Sequence, residues 1–419
     1  MKKNGFTLVE ITVCVVLLVT IFLIVVPKVN TMINNKKKNA YNSLISAVKD
    51  AAQAYVYLNV NIVDDAIESQ GYYEVSIRTL QENELLENKL ENPLTGKNIP
   101  STSIVKIIKN NEEYIYKFSL DYQYLLEHII DLYSSEETRI SNGLKKDNTP
   151  DQNIRYYGSN PNNYVSFNNE LWRIIGVFGN NVKLVRSESL GDLSWDSSEE
   201  SINGGFGVNE WSQADLQVYL NKMYYGGDTT VTCYGGTKNS TKTCPTNRLD
   251  NTAKTLIDNH TWNTGAIEYN TRTDTVAFYK DERGNQTGKI CNGGTFCSDT
   301  VERTTTWTGY IGLPYPTDYA YASGENICET NMVKQDSSDA YICENNNWMF
   351  KSIWYWTLSP FARSANSRYV WYVNGDGDVN NSNAASGGAV FPAIYLKSNV
   401  LIESGAGTSS NPYILKAGS

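Results

Sequence analysis

Hydrophobic positions change texture along this chain. From Ile11 to Val26 they are nearly continuous, diluted only by Thr12, Cys14 and Thr20. Counted from Phe6, that run is long enough, at about 1.5 Å per residue, to cross a hydrocarbon core roughly 30 Å thick. After Pro27 the apolar residues thin to Val29, Ile33, Ala40, Leu44, Val48, Ala51, Ala52 and Tyr55, at steps of three and four,. Together the two stretches predict one helix over residues 6–58, with a membrane half and an amphipathic half that lies on a small sheet. A short helix is predicted over Ile77–Glu87, with Ser76 as N-cap, then a hairpin of Ser103–Lys109 and Tyr114–Phe118. Helical spacing returns over Tyr122–Tyr133. The polar stretch that follows, down to Pro150, reads as a linker.

From Asn153 the period shortens to two. Tyr164–Phe167, Leu171–Phe178 and Val182–Arg186 read as strands, joined by Asn/Gly turns at Asn168-Asn169 and Gly179-Asn180-Asn181. Short helices are predicted over Gln213–Asn221 and Thr252–Asp258, the first opened by the capping-box-like spacing of Ser212 and Asp215. A loop-rich middle follows, and then the strands Trp354–Leu358, Tyr369–Val373 and Ala389–Leu396. Trp172, Trp354 and Trp356 sit in strands and read as core.

A chain of 419 residues, 41% hydrophobic and 19% charged, is globular and long enough for two or three domains,. The charge is split. Residues 1–49 hold seven Lys against one Glu, and the remainder holds 29 basic against 44 acidic residues, a net of −15. So acidic a body is a poor match for nucleic-acid phosphates, and nucleic acid is not an expected partner. The basic collar Lys36-Lys37-Lys38 reads as a solvated flank.

Cys14 lies in the apolar run. The other six cysteines fall as three sequence-local pairs, Cys233 with Cys244, Cys291 with Cys297, and Cys328 with Cys343. Six cysteines allow 15 pairings; nearest-neighbour bridges close the shortest loops and are the expectation. An even set fits an oxidising exterior. With only His128 and His260 in the chain and no C-x₂-C spacing, zinc is not expected,. Asp376, Asp378, Asn380 and Ser382 imitate the start of a Ca²⁺ loop, but Gly387 stands where the closing Glu would be,. No G-x-S-x-G or phosphate-binding loop is present. The expectation is therefore no catalytic residues, no metal and no cofactor.

The N-terminal hexapeptide Gly5-Phe6-Thr7-Leu8-Val9-Glu10 is the most specific signal. Glu10 opens an apolar helix, where a carboxylate costs about 2.5–3.5 kcal/mol at mid-bilayer and less near the edge, so it calls for a partner. This motif resembles the leader of the type IV pilin and type II secretion pseudopilin superfamily. The resemblance implies cutting between Gly5 and Phe6 by prepilin peptidase, N-methylation of Phe6, and an assembly role for Glu10 against the terminal amine of a neighbouring pilin subunit. It covers residues 1–118. A weaker resemblance, carried by Trp354–Pro360, Val373–Val379 and Val390–Ala393, is to the C-type-lectin-like and sulfatase-modifying-factor fold.

The fold class these imply is α+β: a long N-terminal transmembrane helix with a small pilin-like α/β domain, then a mixed, β-rich C-type-lectin-like domain. The expected division is a leader (1–5), a transmembrane and assembly helix (6–27), a pilin-like globular domain (28–118), a linker helix (119–152), a head (153–402) and a tail (403–419). The expected function is a minor pilin or pseudopilin of a type IV pilus or type II secretion-like filament. It would be held in the cell membrane by a single pass before assembly into a surface filament. The head would stay outside to adhere or to bind a surface glycan or a protein. Two alternatives are a secretion or DNA-uptake pseudopilin with a purely structural head, and a membrane-tethered enzyme with an acidic site.

Overall fold

The computed structural model describes residues 36–37, 39–93, 97–99, 101, 103–110, 113–119, 123–267, 274–284, 303–333, 343–362 and 367–417. The chain forms two compact units, Met1–Gln123 and Tyr124–Ser419.

In the first unit residues 39–58 are helical. Of the predicted three- and four-residue steps, Val48, Ala51 and Ala52 are buried, joined by Val56, and pack with Val75, Val105 and Ile107, while Leu44 and Tyr55 close the edge; Ala40 is exposed, and Val29 and Ile33 lie outside the described residues. The strands Tyr73–Ser76, Ile104–Asn110 and Glu113–Ser119 form an antiparallel sheet in that order. The short helix begins where Ser76 predicts, with the Ser76 Oγ accepting the Thr79 N–H at 3.0 Å. It ends at Glu82, earlier than expected. Glu84 has φ +58°, a left-handed conformation that no α-helix continues,.

The expected transmembrane helix is corrected here. Among the described residues no helix is long and apolar enough to cross a membrane. Residues 6–27, on which that expectation rested, lie outside the described residues. The described residues therefore do not support the single-pass membrane placement or the fold class built on it. What the described residues form is a mixed α/β structure with many strands.

The second unit is built on two sheets. In the larger, Ile311–Gly312, Ala393–Leu396, Asn181–Arg186, Glu170–Phe178, Tyr164–Phe167, Tyr413–Ala417 and Val400–Ser404 are successive neighbours. All these contacts are antiparallel except the parallel pair of Tyr413–Ala417 with Tyr164–Phe167. Asn168 and Asn169 both take positive φ, +57° and +56°, the two-residue turn whose twist suits a hairpin,. The smaller sheet orders Asp192–Ser194, Gly387–Ala389, Tyr355–Pro360, Tyr369–Val373 and Val379–Asn383. Trp172 and Trp356 are fully buried, as expected, and Trp354 packs at the edge of the same core.

Several elements depart from the sequence reading. Within 119–152, Leu125–Ser134 and Glu136–Ser141 are helices, and Leu144–Lys146 pairs with Ile154–Tyr156. In the C-terminal stretch Tyr413–Ala417 enters the larger sheet. The predicted strand Ala389–Leu396 is two strands, Gly387–Ala389 in the smaller sheet and Ala393–Leu396 in the larger. Pro392, which has no N–H to give a ladder, stands in the break. Ser212 does not cap the helix predicted after it. Its hydroxyl bonds the Glu210 carboxylate at 2.6 Å, and the helix, Asp215–Val218, starts after Ala214 and runs on as a wider π-turn over Tyr219–Tyr225.

Candidate functional site

Gly5, Phe6 and Glu10 lie outside the described residues, as do Cys291 and Cys297. Cys233 is bridged to Cys244, and Cys328 to Cys343, two of the three nearest-neighbour pairs expected. The imitation Ca²⁺ loop is not gathered into a loop. Asp376 lies in the turn after Tyr369–Val373, whereas Asn380 and Ser382 are ladder residues opposite Tyr372 and Val370.

Neither histidine sits in a nucleophile arrangement. His128 bonds the Tyr413 hydroxyl at 2.8 Å, and burial lowers its pKa to about 4. His260 bonds Asp258 through Nδ1 at 3.2 Å and stacks on Tyr395. Asp196 and Asp215 are a buried acid pair, and burial lifts Asp196 to about 7. Three of their four oxygens are occupied, however. Asp196 accepts the N–H groups of Val208 and Asp215, and Asp215 accepts that of Ser197, so the pair braces loops.

The most heavily charged part of the interior is a network between elements far apart in sequence. Asp318 opens the helix Pro316–Ala322. Its Oδ2 accepts from Lys183 Nζ at 2.5 Å and from the Tyr315 N–H at 2.9 Å, and its Oδ1 accepts from Arg155 Nη1 at 2.5 Å. Arg155 Nε reaches Asp147 at 2.8 Å. Burial alone would raise the Asp318 pKa, but Lys183 and Arg155 outweigh it and hold the carboxyl below its usual range. Burial pushes the Lys183 ammonium down to about 8 and the neighbouring Glu282 carboxyl up to about 7. Each cation here faces an acid, and the network ties two strands of the larger sheet to a helix.

A different arrangement lies beside another part of the same strands. A small pocket of about 10 Å³, with room for about one water-sized group, is lined by Arg173, Ser187, Trp348, Lys351, Tyr355 and Phe391, among others,. Arg173 comes from the strand Glu170–Phe178. Its guanidinium lies 3.9 Å from the Tyr164 ring centre and 4.7 Å from that of Trp348. Nε donates to Asn163 Oδ1 at 2.8 Å and Nη2 reaches the Pro161 carbonyl at 3.4 Å, but Nη1 has no partner among the described residues. Arg173 is only 7% exposed and meets no carboxylate, and burial pushes it down to about 10.

Lys351 donates to the Ser187 carbonyl at 3.1 Å and also has no acid in contact. Burial, and then the charge of Arg173, push its ammonium down, with Glu188 pulling the other way. The Ser187 hydroxyl is buried and makes no hydrogen bond. Arg186, which also lines the pocket, differs: it is bound to Glu170 at 2.9 and 3.1 Å.

The sequence reading did not single out Arg173, Ser187 or Lys351. A signal was present in Leu171-Trp172-Arg173-Ile174, where a cation interrupts an otherwise apolar strand. What it lacked was any sign that no acid would meet that cation.

No family model matches this chain, and neither a curated protein nor a solved structure is similar to it.

Proposed function

We propose that this chain is an assembly subunit of the pilin kind whose C-terminal unit is a disulfide-braced binding head. The observation that carries the head reading is the pocket at Arg173 and Lys351. It opens on a unit that holds, among the described residues, two disulfides and a buried ionic network, and no described acid contacts its two cations. Buried groups left in that state mark a place where a partner supplies what is missing. The assembly reading is supported by the Gly5-to-Glu10 hexapeptide and by the first unit, an amphipathic helix laid over a three-stranded sheet. Two disulfides fit an oxidising exterior,. In this reading prepilin peptidase trims the chain at Gly5, other pilin-like subunits are its assembly partners, and Glu10 sets the register.

The test is to follow Glu10→Ala in cells that assemble the wild-type chain. The variant is expected to be trimmed normally and to be lost from assembled filaments. Normal incorporation would remove the role given to Glu10, and with it the assembly half of the proposal.

A further inference from the structure

We infer that the pocket at Arg173, Ser187 and Lys351 is a carboxylate-binding site, taking the acid group of a uronic-acid-type sugar or of a simple organic acid. The inference rests on reading the C-terminal unit as a binding head and names the chemistry that head recognises. Two cations line one opening, and among the described residues neither touches a carboxylate. A third group on the same wall, the Ser187 hydroxyl, is 8% exposed as a residue, and its oxygen is buried without a partner. A guanidinium, an ammonium and a hydroxyl are all donors, so the missing partner is an acceptor, and the two positive charges make it an anion. Arg173 is nearly fully buried and held only by neutral acceptors, so among the described residues its charge lacks a counter-ion, a costly state that an incoming anion would relieve,.

A planar guanidinium presents its N–H donors side by side, the geometry that meets the two oxygens of a carboxylate. Arg173 is also held rigidly, clasped between Tyr164 and Trp348 and anchored through Asn163, which itself donates to the Ile174 carbonyl at 2.8 Å. A pre-fixed guanidinium loses little freedom when it takes up a carboxylate. Trp348 is fixed in turn, its indole N–H donating to the Tyr156 carbonyl at 2.9 Å. Arg186 stands by as the contrast, since Glu170 already fills the role that an external acid would play for Arg173.

The experiment measures binding by titration calorimetry and thermal shift on the full chain. The probes are sodium acetate, sodium glucuronate, glucose and sodium chloride, at matched ionic strength. Acetate and glucuronate are expected to bind and to raise the melting temperature, and glucose and chloride to do neither. Arg173→Gln and, separately, Lys351→Gln are expected to weaken carboxylate binding at least tenfold. The second variant lies outside the sheet and keeps the test alive if the first fails to fold. Glucuronate binding at least tenfold tighter than acetate assigns the acid to a sugar; equal binding assigns it to a free carboxylate; both support the inference. Chloride acting as strongly as acetate, or wild-type affinity in both variants, overturns it. A chain that binds a neutral glycan or a protein equally well with and without Arg173 would also overturn it, while leaving the head reading intact.

Discussion

At the scale of single residues, two kinds of buried cation sit in one unit, and their partners tell them apart. Lys183 and Arg155 share Asp318; truncating it strands the Lys183 ammonium in the interior and leaves Arg155 only Asp147. Asp318→Ala is expected to cost about 3–5 kcal/mol of folding free energy, read as a shift in urea midpoint; a loss no larger than for an exposed acid would contradict the network as drawn. His128 gives a pH dependence. Burial holds its folded pKa near 4, against about 6.5 in an unfolded chain,. Between those values the unfolded state takes up a proton that the folded state refuses, so this residue makes stability fall as pH drops from about 6.5 to about 4. Urea melts at about pH 7 and about pH 4.5 should show the wild type losing about 2 kcal/mol more than His128→Asn does; equal losses would contradict it. Some of this was legible in the sequence. Trp172 and Trp356 in apolar strands could hardly be other than core. Lys183 and Arg173 are each a lone cation in an apolar run, and their roles depend on residues brought up by the fold. Lys183 meets an acid 135 positions away, whereas Arg173 meets none.

At the scale of elements, local chemistry was read well and long-range chemistry was not. The Asn168-Asn169 turn, the Ser76 cap and the Ile104–Ser119 hairpin are decided within a few residues, and each is where the sequence places it. The splitting of Gly387–Leu396 between two sheets is not decided locally, although Pro392 marks the point. Gly176 shows how tightly one element constrains another. A Cβ there would come 2.1 Å from the Ile154 carbonyl oxygen, so the strand Ile154–Tyr156 can lie against Glu170–Phe178 only because that side chain is missing. Two of the three expected cysteine pairs, Cys233–Cys244 and Cys328–Cys343, were legible because short loops close most easily,. The bridge from Cys233 to Cys244 spans 11 positions and ties the small hairpin Cys233–Lys242 to the rest of its loop. Replacing both cysteines with serine is expected to lower stability by about 2–3 kcal/mol, measured by chemical denaturation under non-reducing conditions. An unchanged midpoint would mean the bridge braces nothing.

At the scale of the whole molecule, each of the two units has its own buried core, and the proposed division of labour follows that partition. The first unit supplies a helix on a small sheet. The second supplies, among the described residues, two bridges and a pocket lined by two cations that meet no described acid. The sequence conveyed the two textures, helical then β, but not where one unit ends, because the helix Leu125–Ser134 belongs with the strands that follow it. The claim that joins the units is that a dedicated peptidase trims the chain so that it can assemble. The most direct measurement is the intact mass and N-terminal residue of the chain recovered from cells that also make prepilin peptidase. The account predicts a chain that begins at methylated Phe6, and a Gly5 variant bearing a bulky side chain that stays untrimmed. A wild-type chain that still begins at Met1 in those cells would contradict it.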